Sequence, residues 1–318
     1  MDTRIQQQLK FESITVPVGV NNLHMMRIHR HGGGTPVFML HGAVENGTIF
    51  YSRSGKGLAA HLAVKGYDVF VADLRGHGLS SPGITRESVF GQTEHIMEDI
   101  TAFVKKIIEL RGAAAQVWVA HSWGGVFMTA HLARVPEHRR LVQAGVYFGT
   151  KRRVTAWNMA RFIQMDFWWG FLAKIFARVY GYLPMKDLGL FLGDDNETRN
   201  CLLESDRWLR SADWIGADGF NYRASLKTVG LPPILYVAAA KDAWMGNKKD
   251  VKRFIDESGR DNSALLVVGK KEGFKNDYNH ITLLTHREAP GDHFPAVLDW
   301  LSRTAAPGGT AEDEGMIV

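Results

Sequence analysis

Ser122 stands in the stretch Ala120-His121-Ser122-Trp123-Gly124-Gly125, after an apolar run at residues 116–119 and before one with helical spacing at 126–132. A strand that runs into a serine and a helix that leaves it make a sharp turn, which tolerates only small residues two before and two after the serine. Ala120 and Gly124 meet that demand, giving a small-x-Ser-x-Gly elbow with alanine in the first place. A serine hydroxyl is a poor nucleophile at neutral pH and needs a base beside it, for which a neutral imidazole is well suited. The imidazole needs a carboxylate to hold its tautomer and stabilise its cation. Asp242, just past the apolar run 234–240, and His280, in a later loop, supply those types. The chemistry they could do together is nucleophilic acyl transfer. Each also has a plainer reading: Ser122 as a helix cap, Asp242 as a turn residue, His280 as a polar loop residue. Asp99, Asp218 and Asp277 are the other candidate acids, and His293 and His286 the other candidate bases. His293 is disfavoured because it enters the last helix.

These residues must be positioned by a regular scaffold. Residues 13–18 and 23–29 read as two strands of an antiparallel edge. Residues 36–40, 67–72, 116–119, 141–148, 233–238 and 263–268 read as strands, several of them continuous apolar runs of the kind buried on both faces. Helical spacing is predicted over 51–65, closed by Gly66, over 94–111, stopped by Gly112, and over 294–303. Strand and helix alternate as in a doubly wound α/β sheet. The alternation breaks between Lys151 and about Gly230. There an aromatic-dense stretch, including Trp168, Trp169 and Phe171, precedes a helix-like segment at 196–210. This predicts a helical cap, residues 151–230, inserted into a core made of 1–150 and 231–303. The Gly-, Ala- and acid-rich tail 304–318 reads as disordered.

Composition restricts the classes available. The 318 residues are 45% hydrophobic and 22% charged, which is ordinary for a soluble globular protein. A single cysteine, Cys201, cannot form an internal disulfide, and residues 1–10 lack the apolar core of a signal peptide, so a cytoplasmic protein is expected. The formal charge of +5 is spread over scattered Lys and Arg residues, which argues against nucleic acid and leaves transient contact with an acidic membrane surface open. No cluster has metal-ligand spacing, and His31-Gly32-Gly33-Gly34 precedes a strand rather than a helix, so it is no phosphate cradle. Neither a metal nor a cofactor is expected. Arg75-Gly76-His77-Gly78 reads as a structural loop, and His31 and His121, with no partner implied by spacing, as structural residues.

Over nearly all of 13–303 the chain resembles the α/β-hydrolase superfamily. His41-Gly42-Ala43 after the third strand, Asp73-Leu74-Arg75-Gly76-His77-Gly78-Leu79-Ser80 after the fourth, the elbow at Ser122, and Asp242 followed by His280 carry the resemblance, in the order the family uses. It is closest in kind to the esterase, lipase and lysophospholipase branch. The segment 277–301 is also similar to polyhydroxyalkanoate synthases, but those place cysteine at the elbow where this chain has Ser122. The resemblance implies a mostly parallel eight-stranded sheet with helices on both faces, a Ser122–His280–Asp242 triad, and an oxyanion hole from the backbone NH groups of Ala43 and Trp123. The function it implies is cleavage of a small carboxylic ester. Between Arg161 and Tyr180, Phe162, Met165, Trp169, Leu172, Phe176 and Val179 recur at intervals of three or four, one apolar α-helical face that Trp168, Phe171 and Ile175 widen, so an acyl part that is hydrophobic and contacted by Trp168, Trp169 and Phe171 is expected. An acyltransferase or thioesterase would share the triad. A peptidase and a non-catalytic binding module of the same fold are the remaining readings, while a dehalogenase or epoxide hydrolase would need aspartate at the elbow.

Overall fold

Six of the apolar runs become six neighbouring parallel strands in the computed structural model, which describes residues 9–189, 193–259 and 262–305. The strands are β1 (Lys10–Val18), β2 (Asn21–His29), β3 (Pro36–Leu40), β4 (Asp68–Asp73), β5 (Gln116–His121), β6 (Val142–Phe148), a two-residue pair β7 (Tyr182–Leu183) and β8 (Glu197–Thr198), then β9 (Ile234–Ala239) and β10 (Ser263–Val268). Eight of them form one sheet in the order β1-β2-β4-β3-β5-β6-β9-β10, in which only β2 runs against its neighbours.

Every residue of β3, β4, β5 and β9 is buried, as expected of strands covered on both sides. Their side chains alternate between two cores. Phe38, Leu40, Trp118 and Ala120 meet the helices α2 (residues 92–111), α3 (Trp123–Arg134) and, farther along, α7 (Lys248–Ser258). Val37, Met39, Val117 and Val119 meet α1 (Leu58–Val64) and the last helix, α8 (Phe294–Thr304). Between β6 and β9 lie α4 (residues 159–180), α5 (Arg199–Arg210) and α6 (Tyr222–Leu226).

The first predicted helix is shorter than its spacing suggested. Residues 52–56 form a turn closed by Ser52 NH to Lys56 C=O at 2.9 Å, and Gly57 has φ 98 with no room for a Cβ, which would lie 2.3 Å from Phe50 O. The helix therefore starts at Leu58. The segment 151–230, expected to lack strands, contains β7 and β8, too short to show periodicity. Its helix α5 begins only at Arg199, where the Thr198 side chain accepts the Cys201 NH at 3.1 Å. The connection between β9 and β10 is helical: α7 is mostly charged in sequence but buries Val251, Phe254 and Ile255 on one side. The predicted disordered tail lies, from residue 306 on, outside the described residues.

Specific polar contacts fasten 151–230 to the sheet. Arg152, fully buried, donates to the Glu257 carboxylate and to the carbonyls of Trp208 and Ser211. Gly78 NH donates to Asp195 at 2.8 Å, and His77 Nε2 lies 3.8 Å from Glu197. Beside that contact Cys201 is buried, its thiol pKa raised well above the ordinary value by burial and by Glu197. A small apolar cluster joins Val44, from the loop after β3, to Ala173, Ala177 and Leu202. Among the described residues no helix is long and apolar enough to cross a membrane.

Candidate active site

The loops after β3, β5, β6, β9 and β10 all leave the same edge of the sheet, the carboxyl ends of adjacent parallel strands, where open α/β sheets form their binding crevice. There the structure encloses a cavity of about 360 Å³. Ser122, Ala43, Trp123 and His280 line it, with Trp169, Leu209 and Trp244 among its apolar walls.

Ser122 follows β5 directly and has φ 50, a conformation uncommon outside glycine. Its NH donates to Phe148 O at 2.8 Å, tying the elbow to the neighbouring strand β6. The close approach explains the flanking glycines: a Cβ on Gly124 would lie 2.4 Å from His41 O, and one on Gly42 would lie 2.9 Å from Ser122 Cβ. Trp123 is the first residue of α3, so its NH has no acceptor within the helix and sits at the positive end of the helix dipole.

His280 and Asp242 come together across 38 residues, with Nδ1 to Oδ2 at 2.7 Å, both buried. The His280 ring lies on Gly149, where a Cβ would be 2.8 Å from Nδ1. Burial pushes the His280 pKa down, outweighing the opposite pull of Asp242, so the imidazole is neutral at pH 7. Burial alone would raise the Asp242 carboxyl, but His280 and the NH of Gly246 hold it below the usual range. With Nδ1 engaged, Nε2 is the nitrogen left to accept a proton.

The other candidates are engaged elsewhere. Asp99 accepts from Arg75 Nε at 2.7 Å and pairs with His95 Nδ1 at 2.9 Å, Asp218 pairs with Arg134 at 2.6 Å, and Asp277 accepts Lys270 NH at 2.9 Å. His293 donates to Leu283 O at 2.8 Å, and His286 Nδ1 accepts Glu288 NH. Of the three aromatics expected to contact substrate, only Trp169 lines the cavity. Trp168 stacks on Phe176 in the small apolar cluster, and Phe171 is 55% exposed and stacks on Phe167. The expectation assumed an α-helix throughout, but α4 is π-helical over Phe162–Leu172, so its wider turns move each side chain off the α-helical face.

Two residues carry more than sequence spacing disclosed. His121, expected to be a structural residue without a partner, joins Glu45 Oε2 through Nδ1 at 2.8 Å and His280 O through Nε2 at 3.1 Å. Both partners are acceptors, so both nitrogens must donate and His121 is an imidazolium. Burial acts to raise the Glu45 carboxyl, yet His121 holds it at about 2, and Glu45 raises His121 against its own burial. Glu45 also accepts the Gly42 NH at 3.0 Å. The pair thus connects the loop after β3 to the loop carrying His280, and the His121 and His280 rings lie 4.6 Å apart. Adjacency to the two motifs was the available signal, Glu45 three places after Gly42 and His121 just before Ser122.

A strand-borne serine elbow and an imidazole–carboxylate pair at one crevice point to the class of this protein. The chain belongs to the alpha/beta hydrolase fold family, whose sequence model matches residues 35–194. It is 27% identical over 209 residues to the proline iminopeptidase of Neisseria gonorrhoeae, a stretch that covers 61% of this chain and 59% of that relative's length. Among solved structures it is similar to a soluble variant of monoglyceride lipase from Saccharomyces cerevisiae (TM-score 0.67, 17% identity, 95% of this chain and 96% of that one). It is also similar to an esterase from Pyrococcus furiosus (TM-score 0.58, 15% identity, 95% and 93%). At these identities the structural likeness is one of fold.

Proposed function

We propose that this chain is a serine hydrolase that cleaves carboxylic esters with a hydrophobic acyl part, through an acyl-enzyme on Ser122 that water then releases. His280 takes the serine proton and returns it to the leaving alcohol, and Asp242 keeps Nδ1 protonated and stabilises the imidazolium. The NH groups of Ala43 and Trp123 receive the tetrahedral oxyanion. Residues 151–230 act as a cap over the core of 1–150 and 231–303, and Trp169, Leu209 and Trp244 bound the acyl chain. The observation that carries this reading is the buried His280–Asp242 hydrogen bond at the wall of the cavity that Ser122 also lines.

The test is fluorophosphonate labelling and turnover of p-nitrophenyl esters of rising chain length. Ser122→Ala is expected to abolish labelling and to lower kcat by about 10^3-fold or more. Each added methylene should raise kcat/KM in the parent, and Trp169→Ala should flatten that rise. Full labelling of the Ser122 variant, or constants that fall from acetate upward, would exclude the assignment. Product analysis with added alcohols separates hydrolysis from acyl transfer.

The same reading gives the outer side of α4 a partner, the surface of an anionic membrane from which hydrophobic esters are drawn. Met159, Ile163, Phe167, Phe171, Ile175 and Val179, four apart, are 45% to 71% exposed. Between 153 and 186 stand five basic residues (Arg153, Arg161, Lys174, Arg178, Lys186) and one acid, Asp166. Arg161 pairs with Asp166, Lys174 with Asp206 and Lys186 with Asp195, so Arg153 and Arg178 are the charges this segment offers to anionic head groups beside the apolar stripe.

A further inference from the structure

The cavity has one basic residue other than histidine among its described lining residues, Lys151. It follows β6 by three positions and is 5% exposed, with Nζ 5.8 Å from the centroid of the Trp123 ring. Its neighbour Arg152, held by Glu257 and two carbonyls, fixes the backbone from which it projects.

The carboxylates whose charges act on Lys151 are engaged elsewhere. Asp242 is bonded to His280, Glu45 to His121 and the Gly42 NH, and Asp250 to Thr155 and the Ala156 NH. None of them is joined to Lys151 by a hydrogen bond or ion pair among the described residues. Asp194, the other acid lining the cavity, stands on its exposed rim. A buried ammonium without a counter-ion is costly to keep. Burial accordingly drives its pKa down, to about 8, against the pull of those carboxylates, which still leaves it mostly charged at pH 7. A perturbed cation facing a cleft is the pattern of a group waiting for a ligand.

We infer that Lys151 receives an anionic group, a carboxylate or phosphate, carried by the ester that Ser122 cleaves. The inference rests on the serine-hydrolase reading and narrows its substrates to amphiphilic esters with one negative charge. Trp169, Leu209 and Trp244 take the apolar part of such a molecule, while Lys151, over the indole of the residue that follows Ser122, takes the charge near the reacting carbonyl. Three donors on a flexible stem make lysine a suitable point-charge partner for either anion.

The experiment compares length-matched pairs. With the charge on the acyl part, these are monomethyl succinate against methyl butyrate and monomethyl adipate against methyl hexanoate. With the charge on the alcohol, the pair is 2-carboxyethyl acetate against propyl acetate. The parent should favour the anionic member of at least one pair by about tenfold or more in kcat/KM, the scale of one charge-assisted hydrogen bond. Lys151→Met should bring that ratio to about one or below, mainly through KM, and Lys151→Arg should restore part of it. A parent that prefers the neutral ester in every pair overturns the inference without need of any variant. So does a Lys151→Met enzyme that loses kcat equally on both members, since Lys151 would then only screen Asp242. If no ester is cleaved and Ser122 takes no fluorophosphonate, the serine-hydrolase reading falls, and this one with it; labelling with no charge preference sinks this one alone.

Discussion

His121 donates from both ring nitrogens, to Glu45 and to the His280 carbonyl, so a positive charge is built in beside the imidazole proposed as the base. That charge is one of the causes that lower the His280 pKa, after burial. A base must be neutral to accept a proton, and lowering its pKa keeps it neutral to lower pH. The acid limb of kcat/KM, which reports the free enzyme, is therefore expected below the ordinary histidine value of 6.5, with a plateau by pH 7. Glu45→Gln removes the counter-charge that keeps His121 protonated, and the neutral ring removes one cause of the depression. The limb should then move to higher pH while turnover on the plateau falls. A pH profile of kcat/KM for a neutral p-nitrophenyl ester measures both, and an unmoved limb would show that the pair does not act on His280. Asp242 and His280 were legible in the sequence because residue type and chain order are enough to nominate them. The Glu45–His121 pair was not, since two residues 76 positions apart show no relation until the strands bring their loops to one edge.

The strands were legible for the same physical reason that they exist: a segment buried on both faces is apolar except where a polar group has a partner, and β3 is apolar from Pro36 to Leu40 and β5 from Val117 to Ala120. Helix α4 was legible as a helix and misleading in its faces. Residues four apart overshoot a full α-helical turn by about 40°, whereas in a π-helix, with its i to i+5 bonds, they fall short of one. The π-helical Phe162–Leu172 followed by the α-helical Ala173–Tyr180 lets the two drifts oppose each other, so the stripe from Met159 to Val179 keeps to one side. Vesicle co-sedimentation tests the partner assigned to that stripe. The parent should pellet with vesicles of mixed phosphatidylglycerol and phosphatidylcholine, and less as salt rises. Phe167→Glu with Phe171→Glu should abolish pelleting, and because both side chains point outward the folded yield should hold. A parent that stays in the supernatant, or is dimeric and dissociates on the same changes, would assign the stripe to a protein contact.

At the scale of the whole molecule, the segment 151–230 and the sheet meet along a polar seam as well as an apolar one. The Arg152–Glu257 ion pair, the Gly78–Asp195 hydrogen bond and the His77–Glu197 pair run along it, with His77 raised to about 9 as Glu197 overcomes the effect of burial. Cys201 lies in that seam and is the only cysteine of the 318 residues. Its seclusion makes the protein its own stopwatch. A thiol reagent can react only while the seam is parted, because the thiolate is scarce when it is closed. Modification of the native protein by excess iodoacetamide, followed by intact mass, should be slower than that of the unfolded chain by orders of magnitude. Where modification no longer speeds up with more reagent, its rate is the rate of parting. If that rate matches kcat, entry or exit past 151–230 limits turnover; if the cysteine reacts as fast as in the unfolded chain, the seam is not closed in solution.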